Sequence, residues 1–317
     1  MNIYKDQQKL LPGVSRTFAL TIPMLPESLR HIITNAYLLC RIADTIEDDQ
    51  QLSSDEKNDL HLTFIKVLER KFDASIFSKT LLAKLSIHTP IHERQLIEQT
   101  PVVIDCLHSF THTQQDHVVR CVNVMSKGMS EFERHAGLAG LKNMAQLDRY
   151  CYCVAGVVGE MLTELFCDYA PQMKQHKTMA LEYAINFGQG LQMTNILQDI
   201  WTDRSRGVSW LPEDQSIQQL VLIAYQHLQK AIDYINLIPE QETKIKSFTI
   251  FPIALALLTL TNIHRHPDFT DRNHIKISRY QVKALLFANH FAAKSPFLTQ
   301  KLFAWLSQPF RTMKNNF

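Results

Sequence analysis

The sequence carries an acidic cluster at the end of a predicted helix, in the stretch 41–49. Asp44 and Asp48 are four residues apart with Glu47 between them, so a helix would place their carboxylates on one face. These carboxylates repel one another and lie at the negative end of the helix dipole, which favours a compensating cation. Arg41, three residues before Asp44, supplies part of that charge. Taken alone, the stretch is also compatible with a solvated acidic helix end.

A second row of polar side chains lies between residues 192 and 203. Gln192, Asn195, Asp199 and Asp203 recur at intervals of three and four, so a helix would align them on one face at successive turns. The opposite face of that helix is apolar. By itself, this pattern is also typical of an amphipathic helix with a polar outer surface.

Together, the two acidic stretches predict a metal site built from oxygen ligands. Carboxylates without a His or Cys pattern beside them suit Mg²⁺, which keeps several waters and is completed by substrate phosphates. Such a site favours departure of a diphosphate, because the metal neutralises the charge that grows on the leaving group. The allylic carbocation left behind requires a dry, apolar and aromatic cavity.

The periodicity of the chain predicts the elements that position these residues. Apolar residues recur at intervals of three and four, and alternation at two is nowhere sustained, so we predict an all-α protein. Glycine is scarce, at 9 of 317 residues, which disfavours β-sandwiches and glycine-rich nucleotide folds. No low-complexity linker divides the chain, and we predict a single domain over 1–317 with a mobile tail at about 311–317. The predicted helices are 27–48, 55–72, 75–87, 91–111, 113–136, 143–166, 172–201, 217–238, 245–261 and 278–291.

Charge and composition restrict the partners and the compartment. The 33 Lys and Arg residues nearly balance 31 Asp and Glu, which argues against a nucleic-acid partner. The first residues lack the basic and apolar regions of a signal peptide, and no run of about 18 apolar residues occurs. We therefore expect a cytoplasmic protein without a transmembrane span. The 6 cysteines form no paired CxxC motifs and are expected to be reduced, within packed helices.

Four motifs resemble, in order and spacing, those of the squalene/phytoene synthases, the head-to-head prenyl synthases of the isoprenoid synthase fold. Val-Ser-Arg-Thr-Phe (14–18) is similar to an early Ser-Arg-Ser-Phe element, and Asp-Thr-Ile-Glu-Asp-Asp (44–49) to the first Asp-rich motif. Tyr-Cys-Tyr-Cys-Val-Ala-Gly-Val-Val-Gly (150–159) resembles a Tyr-Cys-x-Tyr-Val-Ala-Gly-x-x-Gly signature, and Asn-Ile-Leu-Gln-Asp-Ile-Trp-Thr-Asp (195–203) the second Asp-rich motif. The resemblance covers about 14–291 and implies helices around a central apolar cavity.

The resemblance also implies a role for each matching position. Tyr150 would act beside the reacting carbons, in proton removal or cation stabilisation, and the four principal aspartates would take part in catalysis through the metal. The Mg²⁺ ligands would be Asp44, Glu47, Asp48, Asn195, Asp199 and Asp203. The substrate-binding residues would be Ser15, Arg16, Tyr37, Arg41, Gln192, Asn195 and Phe248, of which the arginines suit diphosphate oxygens.

The implied reaction joins two farnesyl diphosphates into presqualene diphosphate and then reduces that intermediate to squalene with hydride from NADPH. His-Ile-Lys-Ile-Ser-Arg-Tyr-Gln (274–281) resembles a Lys-Ile-Arg-Lys-Gly segment placed near NADPH in squalene synthases. Lys276 and Arg279 would then contact the 2′-phosphate of the cofactor. The two residues are also compatible with surface cations that precede a helix.

Two departures from the family pattern keep other products open. The loop 204–212, with Arg204 and Arg206, is closer to the Arg-Arg-Gly-Arg run of phytoene synthases, and Gln198 replaces an Arg common in both groups. The alternative is a non-reductive member that makes presqualene diphosphate, dehydrosqualene or hydroxysqualene, or phytoene from geranylgeranyl diphosphate.

Two other classes of function are also compatible with an all-α chain. A non-catalytic scaffold relative predicts eroded acidic motifs, whereas all four principal aspartates are present. A helical membrane-surface binder would account for the basic tail and the oily product. We treat membrane contact as an accessory property, a transient peripheral contact that releases product.

Overall fold

The computed structural model describes residues 3–15, 17–133 and 137–311. These ranges contain no β-strand, apart from one isolated bridge between Leu141 and Pro212, and the all-α fold class is thereby confirmed.

The chain divides into two compact units, Met1–His135 and Ala136–Phe317. The single domain over 1–317 and its central apolar cavity stay predictions. The predicted tail, beyond residue 311, lies outside the described residues.

Helix α3 is central to the first unit because it is apolar on nearly all sides. Its residues Leu38, Leu39, Ile42 and Ile46 are fully buried, and a helix buried all round holds the acids of its last turn on a rigid support. The helices of the first unit are α1 (Ile3–Val14), α2 (Phe18–Thr21), α3 (Glu27–Asp48), α4 (Ser54–Leu68), α5 (Ala74–Lys84), α6 (Ile91–Glu98), α7 (Thr100–Leu107) and α8 (His112–Glu133). Of these, α1, α4, α6, α7 and α8 pack against α3.

Helix α11 is central to the second unit and carries the second acidic stretch. The helices of this unit are α9 (Met144–Cys151), α10 (Val157–Tyr169), α11 (Lys177–Ser205), α12 (Ile217–Leu237), α13 (Thr243–Arg265), α14 (Arg272–Ile275), α15 (Arg279–Ala292), α16 (Pro296–Leu306) and α17 (Gln308–Arg311). Helix α11 packs against α10, α12 and α13. Its buried face includes Met193, Leu197 and Ile200, which leaves the polar row on the other side.

Glycine allows the close approach of helices in the second unit. A Cβ atom at Gly159 would lie 2.1 Å from the carbonyl oxygen of Ala184 on α11, and one at Gly188 would lie 2.1 Å from that of Ala155. Neither distance is compatible with a side chain. Gly159 and Gly188 therefore permit the close packing of these helices.

Most predicted helices are present, with shifted ends. Helix α3 has the predicted bounds, 27–48. The predicted helix 91–111 is instead two helices that meet at Gln99. Pro101 explains the break, because proline lacks a backbone N–H and its ring clashes with the preceding turn. The helices α1, α2, α14, α16 and α17 were not predicted.

Two helical stretches are long and apolar enough to cross a membrane by length and composition alone. They are Met144–Tyr169, with a mean hydropathy of 1.3, and Thr243–Arg265, with 1.5. In these windows 67% and 72% of the residues are buried inside the structure. Because a core helix passes the same test, the two stretches are weak evidence for a membrane span.

Candidate functional site

The first acidic cluster lies on the last turn of α3. Asp44 and Glu47 are half-buried and Asp48 is exposed. Since α3 ends at Asp48, the cluster faces the end of the helix at which unpaired carbonyl groups gather. The carboxylates are therefore grouped where the backbone also carries partial negative charge.

Arg41 lies between two carboxylates of the first unit. Its Nη1 donates to Asp44 Oδ2 at 3.5 Å, and its Nη2 donates to Glu93 Oε1 on α6. Burial opposes the charge on Arg41, but Asp44 and Glu93 outweigh that effect and raise the pKa of the guanidinium. Arg41 therefore stays charged and is held in place from two sides.

Two acids of the cluster, Asp44 and Glu47, have raised pKa values. Desolvation raises the pKa of Asp44 from 3.8 to about 7, and Asp48 and Glu93 add to the effect, although Arg41 opposes it. Desolvation and the neighbouring Asp48 and Asp44 raise the pKa of Glu47 well above its ordinary value. Arg41 opposes the pKa shift at Asp44 and Lys57 opposes that at Glu47, but neither cancels it, so a further cation would bind there favourably.

Asp49, the last acid of the stretch, has a structural role. Its carboxylate accepts hydrogen bonds from the amides of Gln51 and Leu52, at 2.9 and 3.3 Å. It also accepts from the Ser86 amide and the Thr89 hydroxyl, at 2.9 and 2.7 Å. Asp49 is 5% exposed and connects the end of α3 to the segment after α5.

The predicted residues Ser15 and Tyr37 lie together in the first unit. The hydroxyl of Tyr37 donates to the Val14 carbonyl at 3.1 Å, and Ser15 Oγ accepts from the Phe18 amide at 3.0 Å. Desolvation raises the pKa of Tyr37, and a hydrogen bond with Ser15 opposes that shift. Arg16, the other predicted residue of the motif 14–18, lies outside the described residues.

The second acidic row lies on one side of α11. Gln192, Asp199 and Asp203 are half-buried, and Asn195 is exposed. Asp199 forms an ion pair with Arg272 on α14, with 3.0 Å between Asp199 Oδ1 and Arg272 Nη1. A guanidinium therefore already neutralises part of the charge at this carboxylate.

The end of α11 is fixed to the segment that precedes α14. The indole Nε1 of Trp201 donates to the Phe269 carbonyl, and the Arg204 guanidinium lies 5.1 Å from the centre of the Trp201 ring. The contact of Trp201 with Phe269 holds the segment before α14 against the end of α11.

Tyr150 is 3% exposed at the end of α9. Its ring stacks on Trp210, with centroids 4.1 Å apart and planes 7° apart. A π-helical segment, Tyr152–Gly156, follows directly, and such segments are frequent at functional sites. The two stacked rings present electron-rich faces, which stabilise a nearby cation.

The remaining predicted residues occupy different environments. Phe248 is 2% exposed and packs edge-on against Phe166, with ring centroids 6.1 Å apart. Lys276 and Arg279 are exposed on either side of Ser278, which caps α15. Their assignment as a cofactor site stays a prediction.

The carboxylates of the first acidic cluster suit a hard cation that takes only part of its coordination shell from the protein. Among the described residues, no three His, Cys, Asp or Glu side chains are grouped so that they could hold a metal ion alone. Mg²⁺ usually binds through one or two carboxylates and completes its shell with water and phosphate oxygens. The excess negative charge around Asp44 and Glu47 matches that requirement.

A comparison with family models now identifies the chain. The model described as Squalene/phytoene synthase matches residues 11–217, which include both acidic stretches and Tyr150. The chain belongs to the squalene/phytoene synthase family.

Curated relatives of this squalene/phytoene synthase family member have modest identity. "Botryococcus squalene synthase" of Botryococcus braunii is 27% identical over 92% of this chain and 64% of its own length. Squalene synthases of Gibberella zeae and Saccharomyces cerevisiae are 26% and 28% identical, each over 86% of this chain. The chain spans only 61% and 64% of those two proteins, less than two thirds of their length.

Solved structures agree with the family assignment at the level of the fold. TcSQS, solved with a bound ligand, superposes with a TM-score of 0.78 at 20% identity and covers 97% of this chain and 92% of its own. A dehydrosqualene synthase, also with a ligand, gives a TM-score of 0.66 at 17% identity, covering 92% and 96%.

Four side chains of this family member were not singled out from the sequence. Asp49 belongs to the first Asp-rich motif and Trp210 to the loop 204–212, so the sequence drew attention to both segments but did not show their contacts. Glu93 and Arg272 lie outside both acidic stretches, 52 and 73 positions from Arg41 and Asp199. No local signal in the sequence identifies these last two.

Proposed function

We propose that the protein is a Mg²⁺-dependent prenyltransferase that condenses two farnesyl diphosphates head to head and reduces the product to squalene with NADPH. The observation that carries this proposal is the cluster of Asp44, Glu47 and Asp48 at the end of α3, where burial and mutual repulsion raise the pKa values of Asp44 and Glu47. A diphosphate-bound divalent cation would relieve that repulsion, and the family provides the substrate class.

In this mechanism the first unit binds and orients a diphosphate. Asp44 and Asp48 would hold Mg²⁺ with Glu47 in support, and the bound cation would neutralise charge on the leaving group. Arg41 keeps its charge between Asp44 and Glu93 and would donate to diphosphate oxygens. Ser15 and Tyr37 would add hydroxyl contacts to the same substrate.

The second unit would contribute a second set of contacts. Asn195, Asp199 and Asp203 would ligate Mg²⁺, with Gln192 assisting. Arg272 would leave Asp199 for a diphosphate oxygen when the cation binds. The stacked rings of Tyr150 and Trp210 would stabilise the carbocation, and Tyr150 would take part in removal of its proton.

Two features bear on the product. Lys276 and Arg279 are exposed cations beside the start of α15 and would bind the 2′-phosphate of NADPH. The second candidate function is the non-reductive reaction, which ends at presqualene diphosphate, dehydrosqualene or hydroxysqualene. The sequence of the loop 204–212 supports a non-reductive product, since Arg204 and Arg206 resemble the Arg-Arg-Gly-Arg run of phytoene synthases.

Product analysis tests the proposal. Purified protein is incubated with farnesyl diphosphate and Mg²⁺, with and without NADPH, and separately with geranylgeranyl diphosphate. We expect squalene only when NADPH is present, and no product in EDTA. A product unchanged by NADPH overturns the reductive reaction, and turnover only of the longer substrate overturns the farnesyl assignment.

Variants test the acidic clusters. Asp44→Asn and Asp199→Asn should each lower turnover by at least about 100-fold, since each removes a charged metal ligand. The exposed acids Asp59 and Asp233 provide matched controls on α4 and α12, and their Asn variants should keep wild-type turnover. Wild-type turnover in Asp44→Asn contradicts the proposed metal site.

A further inference from the structure

Helices α15 and α16 expose an unusual concentration of large apolar side chains. Six of the 16 large apolar residues that are exposed in the described chain lie within positions 280–305. We call these residues the aromatic face: Tyr280, Phe287, Phe291, Phe297, Leu298 and Trp305.

The aromatic face forms a regular stripe on α15. Tyr280, Phe287 and Phe291 are separated by seven and four residues, so they point within about 20° of one direction on the helix. Tyr280 is 85% exposed and Phe287 is 70% exposed. The opposite side of α15 is buried through Leu285 and Asn289, whose amide donates to the Ser247 carbonyl at 3.0 Å.

Helix α16 repeats this arrangement. Phe297 is 62% exposed and Trp305 is 57% exposed, whereas Phe303 and Leu306 are buried. Helices α15 and α16 pack against each other, and the Thr299 hydroxyl donates to the Ala292 carbonyl at 2.7 Å. Both helices are thus anchored by one side, and their aromatic sides are fixed rather than mobile.

The charge of this region has one sign. All 31 Asp and Glu residues of the chain lie before position 272, whereas 8 of the 33 Lys and Arg residues lie at or after it. Lys283, Lys294 and Lys301 are exposed among the aromatic residues. Lys301 Nζ lies 5.4 Å from the centre of the Phe297 ring. Cations are therefore interleaved with apolar side chains.

We propose that the aromatic face is a binding surface for anionic lipid bilayers. Aromatic residues with Lys and Arg around them favour the headgroup region, where rings enter the apolar boundary and cations meet lipid phosphates. This inference goes beyond the proposed reaction and does not depend on it.

The charge pattern favours lipid over a second copy of the chain. A symmetric dimer through this face would bring the same lysines towards one another without any acid of the region to pair with them. An anionic bilayer offers the complementary charge over the whole surface.

Vesicle sedimentation of the full chain tests the inference in the absence of prenyl substrate. The vesicles contain phosphatidylcholine alone or an equal mixture of phosphatidylcholine and phosphatidylglycerol. We expect binding to the mixed vesicles that weakens at high salt. Lys283→Gln with Lys301→Gln should weaken it by about 20- to 30-fold, at about fivefold for each cation.

Loss of two rings should weaken binding further. Phe287→Ser with Trp305→Ser should lower affinity for the mixed vesicles by at least about tenfold, because partial burial of each ring is lost. Thermal melting checks that the variant is folded. Matched controls in the first unit, Leu62→Ser with Ile76→Ser and Lys66→Gln with Lys79→Gln, should bind as the wild type does.

Two results would overturn the inference. One is wild-type binding to the mixed vesicles by the ring variant or the charge variant. The other is a dimer in sedimentation velocity that Phe287→Ser with Trp305→Ser abolishes, together with no binding to vesicles.

Discussion

Asp44 and Asp49 lie at the same end of α3, and an Asp→Asn substitution should change the stability of the folded protein in opposite directions at the two positions. Asp44 belongs to the crowded cluster, and its pKa is raised from 3.8 to about 7. Asp49 accepts four hydrogen bonds. We therefore expect Asp44→Asn to stabilise the folded protein at pH 8 and Asp49→Asn to destabilise it.

The sign for Asp44 follows from proton linkage. At pH values between about 4 and 7, the unfolded chain releases the Asp44 proton while the folded chain keeps it, so stability falls as the pH rises. Above about pH 7 both states are ionised and the penalty is constant. A pKa shift of this size corresponds to a destabilisation of the folded protein by at most about 4 kcal/mol. The side chain is 30% exposed, and solvent screening reduces the expected effect to about 1–2 kcal/mol.

Urea unfolding at several pH values measures this effect. The free energy of unfolding of Asp44→Asn, relative to wild type, should rise by about 1–2 kcal/mol between pH 4 and pH 8. Asp49→Asn should lose about 1–3 kcal/mol at pH 8, because an amide donor would face the donors of Ser86 and Thr89. An Asp44→Asn difference that is the same at pH 4 and pH 8 would refute the reasoning about the cluster.

Three further substitutions test other contacts. Gly159→Ala should lower the thermal midpoint markedly, by loss of about 2–4 kcal/mol, because its Cβ would meet the Ala184 carbonyl at 2.1 Å; an unchanged midpoint contradicts the close packing. Glu93→Gln should raise KM for the prenyl diphosphate about tenfold with a smaller change in kcat, since Arg41 loses a charged partner; steady-state kinetics measure both, and Glu93→Asp should restore part of the affinity. Trp210→Leu should cost more activation free energy, measured from the fall in kcat, than free energy of unfolding, because the stacking of the pair contributes only about 0.5–1.5 kcal/mol to the fold. Equal losses in the two free energies would show that the ring has a purely structural role.

Local rules were enough to predict how the acids are arranged within each helix. Helix α3 has the predicted bounds because Pro26 precedes its first turn and apolar residues cover nearly all its sides. Its period then places Asp44 and Asp48 on one side, whatever surrounds the helix.

The predictions that failed or fell short did so for two different reasons, one local and one tertiary. The predicted helix 91–111 breaks at Gln99, and the sequence did contain its cause in Pro101. By contrast, the stack of Tyr150 on Trp210 joins positions that no periodicity relates. Phe248 was predicted as a substrate-binding residue, and its packing against Phe166 depends on which helices pack together.

The sequence by itself determined the all-α class, the family motifs and the two acidic rows, because hydrophobic period and residue type are local properties. Only the tertiary structure decided which side chains and backbone groups several of these charged residues contact. Asp49 is committed to loop amides, Arg41 is shared with Glu93, and Asp199 is paired with Arg272. These outcomes depend on partners far along the chain, which packing alone brings within hydrogen-bonding distance.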